Sequence, residues 1–308
     1  MTMTPMRPTQ LIPLLALLAG CGATGSTGSL QVFIEAEDTI PEGLDPGDGD
    51  ENVIDGWTVR YTKFLITLGD FTASRSNAGD ASLEDPARYV VDLMHLPPGG
   101  FILTEFDDVA AVRWDRVGYS MPGADDSAEA ADGTSAADRD FMVAGGLSIH
   151  VEGEISKPGG QACPLGDQTS CTPAPAVRFN WSLAAGTSFA DCAGPDGVAG
   201  FAVPSGGTAQ IKPTIHGDHW FFTNITQGAE ITQRRAQWIA DADADLDGET
   251  TLDELRAAPA AKLFPAELGY NLSGALIPIV TAFDYLEAQV RTLGDFQGEG
   301  ECPTRSIL

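Results

Sequence analysis

The sequence predicts a mainly β fold, an antiparallel β-sandwich followed by a C-terminal α-helical cap. Three observations support this class. First, short segments rich in β-branched and aromatic residues alternate with Gly-, Pro- or Asp-rich connections. Second, no helical periodicity is found before about residue 229, which disfavours a parallel sheet with crossover helices. Third, apolar residues after residue 230 recur at three- and four-residue steps, the period of a helix.

Residues 30–36 and 57–68 show a two-residue alternation of apolar and polar side chains, which is typical of a strand. The full set of predicted strands is residues 30–36, 57–68, 88–93, 101–106, 110–121, 146–155, 176–183, 198–203 and 208–215. Residues 123–140 contain small residues and acids but no aromatic side chain. Because such a composition cannot form a core, we expect a mobile loop there.

Helices are predicted on both sides of an acidic segment and close to the C-terminus. Residues 231–240 carry a partial apolar stripe, and residues 252–258 begin a second helix that ends near Pro259. Residues 274–293 predict a long helix, because their apolar side chains recur at helical spacing. Pro278 then lies in the first turn of that helix, where proline is tolerated.

The charge of the chain is strongly negative. Its 308 residues include 44 acidic and 17 basic side chains, a net charge of -27. Such a surface repels nucleic acid and anionic lipid headgroups, so nucleic-acid binding is excluded. An acidic surface suits a calcium-rich or saline exterior, and solubility alone is the alternative explanation.

The acidic segment, residues 243–254, reads D-A-D-L-D-G-E-T-T-L-D-E. Carboxylates occupy its first, third, fifth and twelfth positions, which are Asp243, Asp245, Asp247 and Glu254. Ca²⁺ takes about six to eight oxygen ligands, and carboxylates at alternate positions of a curled loop can converge on one ion. Gly248 allows the sharp turn, because a residue without Cβ adopts left-handed backbone angles at little cost.

This pattern resembles an EF-hand loop. The resemblance implies that Glu249 contributes its backbone carbonyl and that Thr251 binds directly or through water. The sequence departs from the family at Leu246, where small or polar residues are usual. It departs again at Thr250, where the family has an aliphatic residue that pairs with a partner loop. The sequence contains no second loop of this quality, so we expect a solitary site. The alternative is an acidic helix-capping loop that binds no ion.

The N-terminus predicts export. After a single positive charge at Arg7, residues 11–21 are apolar but too few to span a bilayer, as in a signal peptide. Residues 18–21, L-A-G-C, resemble the lipobox of bacterial lipoproteins. The resemblance implies that Cys21 becomes the lipidated first residue. Gly22 stands where an aspartate would indicate the inner membrane, so the resemblance implies the outer membrane. The alternative is an ordinary signal peptide that is cleaved nearby.

Four segments therefore make up the predicted chain. Residues 1–20 are a signal peptide, and residues 21–29 are the lipidated cysteine with a flexible Gly-, Ser- and Thr-rich tether. Residues 30–225 form the β-sandwich. Residues 226–308 form the helical segment with the EF-hand-like loop and a tail tied by a disulfide.

Apart from Cys21, the cysteines are Cys163, Cys171, Cys192 and Cys302. An even number in an exported protein predicts two disulfides, and three pairings are possible. The short polar loop between Cys163 and Cys171 favours closing locally, which leaves Cys192 to pair with Cys302 and pin the tail. Zinc binding by all four is disfavoured, because no C-x₂-C pair is present.

His216 and His219 stand three residues apart, with an aspartate between them and aromatic residues after them. Two imidazoles can bind one transition metal ion such as copper or zinc, but a third ligand is needed, from His95 or His150. Residues three apart on a strand face opposite sides, so the pair requires a turn or bulge at Gly217. The alternative is that the aromatic residues are buried and the histidines hydrogen-bond to backbone.

Catalytic motifs are missing from the sequence. It contains no G-x-S-x-G, H-E-x-x-H, phosphate-loop or Rossmann pattern, which weighs against an enzyme. We expect an exported, membrane-anchored lipoprotein with a binding or structural role, stabilised by Ca²⁺ in the EF-hand-like loop. The alternatives are a transition-metal-binding lipoprotein that uses His216 and His219, and an exported hydrolase of unrecognised family. The sequence identifies the membrane as a partner but no protein or small-molecule ligand.

Overall fold

A computed structural model describes residues 25–77, 79, 82–226 and 232–307 of the chain. Strands make up 39% and helices 16%, so the mainly β class predicted from the sequence is confirmed. The strands are β1 (Thr27–Ile34), β2 (Thr58–Ser74), β3 (Ser82–Asp92), β4 (Phe101–Ala110), β5 (Arg113–Trp114), β6 (Arg116–Met121), β7 (Glu129–Ala130), β8 (Ile149–Ser156), β9 (Gln161–Ala162), β10 (Thr172–Pro173), β11 (Ala176–Leu183), β12 (Thr187–Phe189), β13 (Phe201–Ala202), β14 (Thr208–Ile211), β15 (Pro213–Ile215), β16 (Glu249–Thr250), β17 (Gly294–Phe296) and β18 (Thr304–Ser306). The α-helices are α1 (Ala136–Gly145), α2 (Gln237–Ala242), α3 (Leu252–Ala257), α4 (Ala260–Leu263) and α5 (Ala282–Val290), and 3₁₀ helices cover Pro164–Gly166, His219–Phe221 and Ala266–Leu268.

Strand β2 organises the largest sheet, whose order is β16-β11-β8-β2-β6-β12-β18, with β3 paired to β2 and β7 to β3. One edge of β2 pairs with β3. The other edge pairs with β8 over residues 58–66 and with β6 over residues 69–74. The register shifts between Gly69 and Phe71, a β-bulge in which Asp70 has a φ of 52°. Because a bulge bends and twists its strand, the sheet curls where β2 changes partners.

The finer prediction, an antiparallel sandwich with a helical cap, is not confirmed. Besides the curled sheet, a three-stranded sheet has the order β14-β1-β4. The pairs β1–β14, β11–β16 and β3–β7 are parallel, and long stretches of chain join their partners, as parallel pairing requires. In the C-terminal part, α2 to α5 alternate with β16 and β17. Local alternation in a sequence indicates a strand but not the direction of its neighbour.

Both faces of β2 are covered by the rest of the protein. Its residues 64–69 are all buried. The main core contains the largest fully buried side chains, which include Trp57, Trp181, Trp220, Trp238 and Tyr285. On the other face, Leu65 packs with Val90 and Met142 in a smaller cluster. Full burial of a large apolar side chain stabilises the fold by about 1.5–3 kcal/mol, so both clusters fix β2 in place.

The prediction of a mobile loop at residues 123–140 is wrong, because this stretch contains β7 and the start of α1. Ser135 caps the helix by accepting a hydrogen bond from the backbone N–H of Asp138, and Gly146 ends it with left-handed angles. Met142 is the one buried residue of α1 and packs in the smaller cluster. A helix that buries only one large side chain shows no apolar stripe in its sequence, so its composition resembles that of a loop.

Several predicted strands are shorter or broken, whereas residues 176–183 form β11 as predicted. Residues 110–121 contain the separate strands β5 and β6, and residues 198–203 contain only β13. Residues 208–215 divide into β14, which pairs with β1, and β15, which pairs with β17. Pro213 begins β15, and since proline donates no backbone hydrogen bond, the β14 ladder does not continue through it.

The helix predicted at residues 274–293 begins later, as α5. Thr281 caps α5 in a capping box with the aspartate three residues further on, so Pro278 lies before the helix. The predicted apolar stripe is wrong at Leu276 and Val280, which are 50% and 69% exposed. Proline disfavours helical angles in the residue before it, which explains the late start. Within the described residues, no helix has both the length and the apolar character that crossing a membrane requires.

Two disulfides join Cys163 to Cys171 and Cys192 to Cys302, which is the pairing that the sequence favoured. The first closes a separation of 8 residues and the second a separation of 110 residues. Both Cys192 and Cys302 are fully buried. Just beyond Cys302, β18 pairs with β12, so the tail is attached to the curled sheet.

We expect the double substitution Cys192→Ser/Cys302→Ser to destabilise the protein more than Cys163→Ser/Cys171→Ser. In the loop-entropy model a bridge over about 100 residues stabilises by about 4.7 kcal/mol, compared with about 3 kcal/mol for 15 residues. Urea unfolding of both variants measures the difference in the free energy of unfolding. Equal losses, or a larger loss for the short loop, would contradict this ranking.

Candidate metal sites

The acidic loop is attached to the sheet at its start by α2. Asp55 caps this helix from a distance, since its Oδ2 accepts hydrogen bonds from the backbone N–H groups of Ala236 and Gln237, each at 3.0 Å. At the next residue, the ring of Trp238 stacks on that of Trp181 in β11, with centroids 5.7 Å apart. These contacts fix the direction from which the chain enters the loop.

The three aspartates of the loop converge. Asp243, Asp245 and Asp247 each offer one carboxylate oxygen within 4.8 Å of the other two. Two oxygens bound to one Ca²⁺ at about 2.3–2.6 Å are at most about 5 Å apart, so this spacing is compatible with a shared ion. Leu246 and Gly248 have φ values of 61° and 85°, and these left-handed residues turn the chain around the carboxylates.

Backbone N–H groups hold the carboxylates in position. Asp243 accepts hydrogen bonds from the N–H of Asp247 at 3.2 Å and of Gly248 at 2.9 Å, and Asp245 accepts from the same N–H of Asp247. Asp243 is only 1% exposed. Burial raises the pKa of its carboxyl, the backbone hydrogen bonds lower it, and the charge of Glu254 raises it further. A cation in the loop would oppose the repulsion between these two carboxylates.

Glu254 lies outside the convergent group of aspartates. Its Oε1 accepts a hydrogen bond from the N–H of Ala244 at 2.9 Å, so it links the start of the loop to its end. Its Oε2 accepts from both the N–H and the hydroxyl of Thr251 at 2.8 Å, which forms the capping box of α3. The side chain of Glu249 lies 3.5 Å from Arg178. Glu254 and Thr251 therefore cap the exit helix in this arrangement.

Thr250, where the sequence departs from the EF-hand pattern, joins the loop to the large sheet. In β16 it pairs with Phe179 of β11, in parallel. Its side chain is fully buried and donates a hydrogen bond to the carbonyl of Ile239 at 2.6 Å. Its own carbonyl accepts from the indole N–H of Trp181 at 3.0 Å. Thr250 therefore pairs with the edge of the large sheet, and its hydroxyl is satisfied by the carbonyl of Ile239.

A second candidate site lies where β15 ends. The antiparallel pair β15–β17 continues into a hydrogen bond from the N–H of His216 to the carbonyl of Leu293 at 2.9 Å. At Gly217 the chain leaves the strand, and a Cβ there would lie 2.7 Å from Ile40, too close for any side chain. The following 3₁₀ helix begins with His219. The two imidazole rings stack with centroids 4.9 Å apart and planes 10° apart. The turn that the pair requires is present.

The third ligand expected from His95 or His150 is not in this group. His95 bonds to Asp92 at 2.8 Å, and His150 bonds to Ser182 at 2.8 Å. Instead, Asp295 of β17 joins the two histidines, and the three side chains each offer one ligand atom within 4.8 Å of the others. Sequence reasoning missed Asp295, because only the pairing of β15 with β17 brings it beside His216.

The contact between His216 and Asp295 is an ion pair. Nε2 of His216 lies 3.2 Å from Oδ2 of Asp295, but the pair lacks the geometry of a hydrogen bond. Burial lowers the pKa of His216, whereas Asp295 and Asp218 raise it, and the net result is a pKa of about 9. Burial and the positive charge of His216 lower the pKa of His219 to about 4. One ring of the stacked pair is therefore charged and the other neutral at pH 7.

Both rings line a cavity of about 380 Å³. Carboxylates are frequent in its wall, among them Glu37, Asp50, Asp218, Asp295 and Glu299. Arg234 pairs with Asp218 and lies over the ring of Phe222, 5.1 Å from its centroid. Burial raises the pKa of Glu37. The charged side chains of the wall are therefore mostly acidic, and such a cavity attracts cations.

Comparison of the chain with protein-family models, with curated proteins and with solved structures finds no match.

We expect Gly248→Ala to lower the free energy of unfolding by about 1–2 kcal/mol, because its left-handed angles are costly for a residue with a Cβ. Among the described residues nothing lies within 4 Å of the added Cβ, so the cost is one of backbone conformation. Gly25→Ala is the matched control, because a Cβ at Gly25 also has nothing within 4 Å among the described residues and Gly25 does not have left-handed angles. We expect it to leave the free energy of unfolding unchanged. Urea unfolding that gave equal stabilities for the two variants would show that the loop does not hold this turn.

Proposed function

We propose that the chain is an exported, membrane-anchored lipoprotein with a binding or structural role, and that residues 243–254 hold Ca²⁺ as a stabilising ligand. The observation that carries the proposal is the convergence of Asp243, Asp245 and Asp247 within 4.8 Å. Carboxylates at this spacing repel one another, and a hard divalent cation is the ligand that their oxygens prefer.

The contacts around the loop support a structural role for the ion. Through Trp238, the entering helix α2 packs on Trp181 of β11. Thr250 of β16 pairs with Phe179 of the same strand. Drawing the aspartates together would hold α2 and β16 against one strand of the sheet. Extracellular Ca²⁺ is abundant and steady, and modules that use it there bind with dissociation constants of about 10⁻⁴–10⁻³ M. The loop therefore acts as a fixed clamp on the sheet edge and not as a switch.

Export is supported by the two disulfides, since such bonds persist in oxidising compartments. The strongly acidic composition suits the same location. Cys21 and the signal peptide of residues 1–20 lie outside the described residues, so the lipid anchor rests on the lipobox sequence. Several acyl chains anchor a protein far more firmly than one, and Gly22 after the cysteine, where aspartate would favour the inner membrane, supports the outer membrane.

We expect the melting temperature of the wild type to rise between chelator and millimolar Ca²⁺, with a gain of about 2.7 kcal/mol in stability at a hundredfold excess over Kd. Glu254→Gln should abolish most of this rise, because it weakens the one ligand that would use both carboxylate oxygens. Each variant is compared with itself, so the cost of the weakened helix cap cancels.

Asp253→Asn is the matched control, because this neighbouring carboxylate is exposed and pairs only with Arg256 among the described contacts. It should keep the full calcium effect. A wild-type melting temperature that Ca²⁺ does not move, or an equal loss in Glu254→Gln and Asp253→Asn, would leave the loop as a helix-capping turn.

We expect Cys21→Ser to release the protein from membranes into the soluble envelope fraction, because the lipid has no attachment atom. Radiolabelled fatty acid should be incorporated into the wild type and not into this variant. Gly22→Asp is the companion variant: it should keep the lipid and move to the inner membrane. A Cys21→Ser protein that still sediments with membranes would disprove the anchor.

A further inference from the structure

We propose that His216, His219 and Asp295 form a second, separate site, which binds a divalent transition metal ion of the zinc or copper class. The site opens into the acidic cavity of about 380 Å³. It uses other residues and other ligand chemistry than residues 243–254, so it stands whether or not that loop binds Ca²⁺.

The three ligands are held by rigid backbone. Asp295 is paired with Thr214 in the β15–β17 ladder, and Tyr119 of β6 donates a hydrogen bond to the carbonyl of Asp295 at 2.7 Å. Tyr61 of β2 donates a hydrogen bond to the carbonyl of Gly217, between the two histidines. The curled sheet thus fixes both arms of the site. A site of this kind needs ligands placed before the ion arrives.

The distances suit a small ion. Zinc binds imidazole nitrogen at about 2.0–2.1 Å and carboxylate oxygen at about 2.0–2.2 Å, so any two ligand atoms lie at most about 4.3 Å apart. The ligand atoms of His216, His219 and Asp295 already lie within 4.8 Å of one another. Small side-chain rotations, together with release of the proton that His216 carries at pH 7, would therefore complete the site without a change of backbone.

One nitrogen of the site makes no hydrogen bond, although it lies in an ion pair with Asp295. Nε2 of His216 is buried, the residue is only 5% exposed, and no described residue forms a hydrogen bond with this nitrogen. Oδ1 of Asp218, in the same cavity wall, is buried and also lacks a hydrogen bond within the described part of the chain. Buried polar atoms without partners are rare in native proteins, and each one calls for an explanation such as an ion or a water.

The hydrogen bonds of His219 leave one nitrogen for a metal. The hydroxyl of Thr292 donates to the carbonyl of Gln289 at 2.9 Å, so its oxygen accepts a hydrogen bond from Nδ1–H of His219 at 3.1 Å. This fixes the neutral tautomer in which Nε2 carries a lone pair. Metal-bound histidines commonly donate their other ring N–H to such an outer partner.

The ligand set selects the class of ion. Imidazole nitrogen suits zinc and copper, whereas Ca²⁺ prefers oxygen ligands alone. Two histidines and one carboxylate supply three of the four positions of a zinc site, and a water or an external ligand from the cavity that these residues line can take the fourth. The acidic wall raises the local concentration of cations at the entrance.

The test is a titration of the folded, disulfide-intact protein with Zn²⁺, measured by isothermal titration calorimetry. Millimolar Ca²⁺ is present throughout so that the acidic loop is saturated. We expect one equivalent of Zn²⁺ per chain. Asp295→Asn keeps the shape but removes the charge, and His219→Phe keeps the ring stacking but removes both nitrogens. Each should weaken Zn²⁺ binding at least about tenfold.

His95→Asn removes a histidine whose ring bonds Asp92 outside the site, so it should bind Zn²⁺ as the wild type does. Glu254→Gln should also keep Zn²⁺ binding, which separates this proposal from the calcium loop. X-ray absorption of the Zn²⁺-loaded wild type needs no variant to fold and should show two imidazoles around the ion. A first shell of oxygen alone, no stoichiometric binding, or unchanged affinity in both site variants would overturn the proposal.

Discussion

The pairing of β2 along both of its edges is the constraint on which the rest of the structure depends. Its residues 64–69 are buried on both faces, so their backbone groups must find partners inside the protein. The partner strands β8 and β6 divide one edge at the bulge, and each leads to a candidate site. From β8 the sheet extends through β11 to β16 and the acidic loop. Tyr61 of β2 and Tyr119 of β6 support the histidine site through Gly217 and Asp295.

The acidic loop also covers part of an edge of the large sheet. The outer edge of β11 would expose unpaired backbone groups, which invite association with other chains. Through Glu249 and Thr250, β16 covers part of that edge. This one pairing both covers the edge of β11 and attaches the acidic loop to the sheet. The buried hydroxyl of Thr250 adds a further link, because it donates a hydrogen bond to the carbonyl of Ile239 in α2.

Most parts of the fold that the sequence predicts depend on neighbours in the chain; the distant pairing of Cys192 with Cys302 follows only by elimination, once Cys163 and Cys171 pair locally. Strand β11, the turn at Gly217 and the local pairing of Cys163 with Cys171 depend on alternation, glycine and a short loop. The parallel pairs and the position of Asp295 depend on contacts between distant segments, which no local pattern encodes. Helix α1 is an intermediate case: Ser135 and Asp138 form a capping signal that is visible in the sequence, but one buried methionine gives too little apolar periodicity to support it.

The two candidate sites differ in the type of ligand atom that they offer, and ligand type is what distinguishes one metal ion from another. Carboxylates of the loop are presented near solvent, with Asp245 and Asp247 exposed, and oxygen ligands there favour an abundant hard ion of modest affinity. His216 is buried beside a carboxylate and His219 is half-buried, and nitrogen ligands favour a scarcer ion that binds more tightly. Because net charge attracts all cations alike, the acidic surface cannot make this distinction. Selection therefore depends on ligand type and on the backbone that holds His216 and Asp295 together.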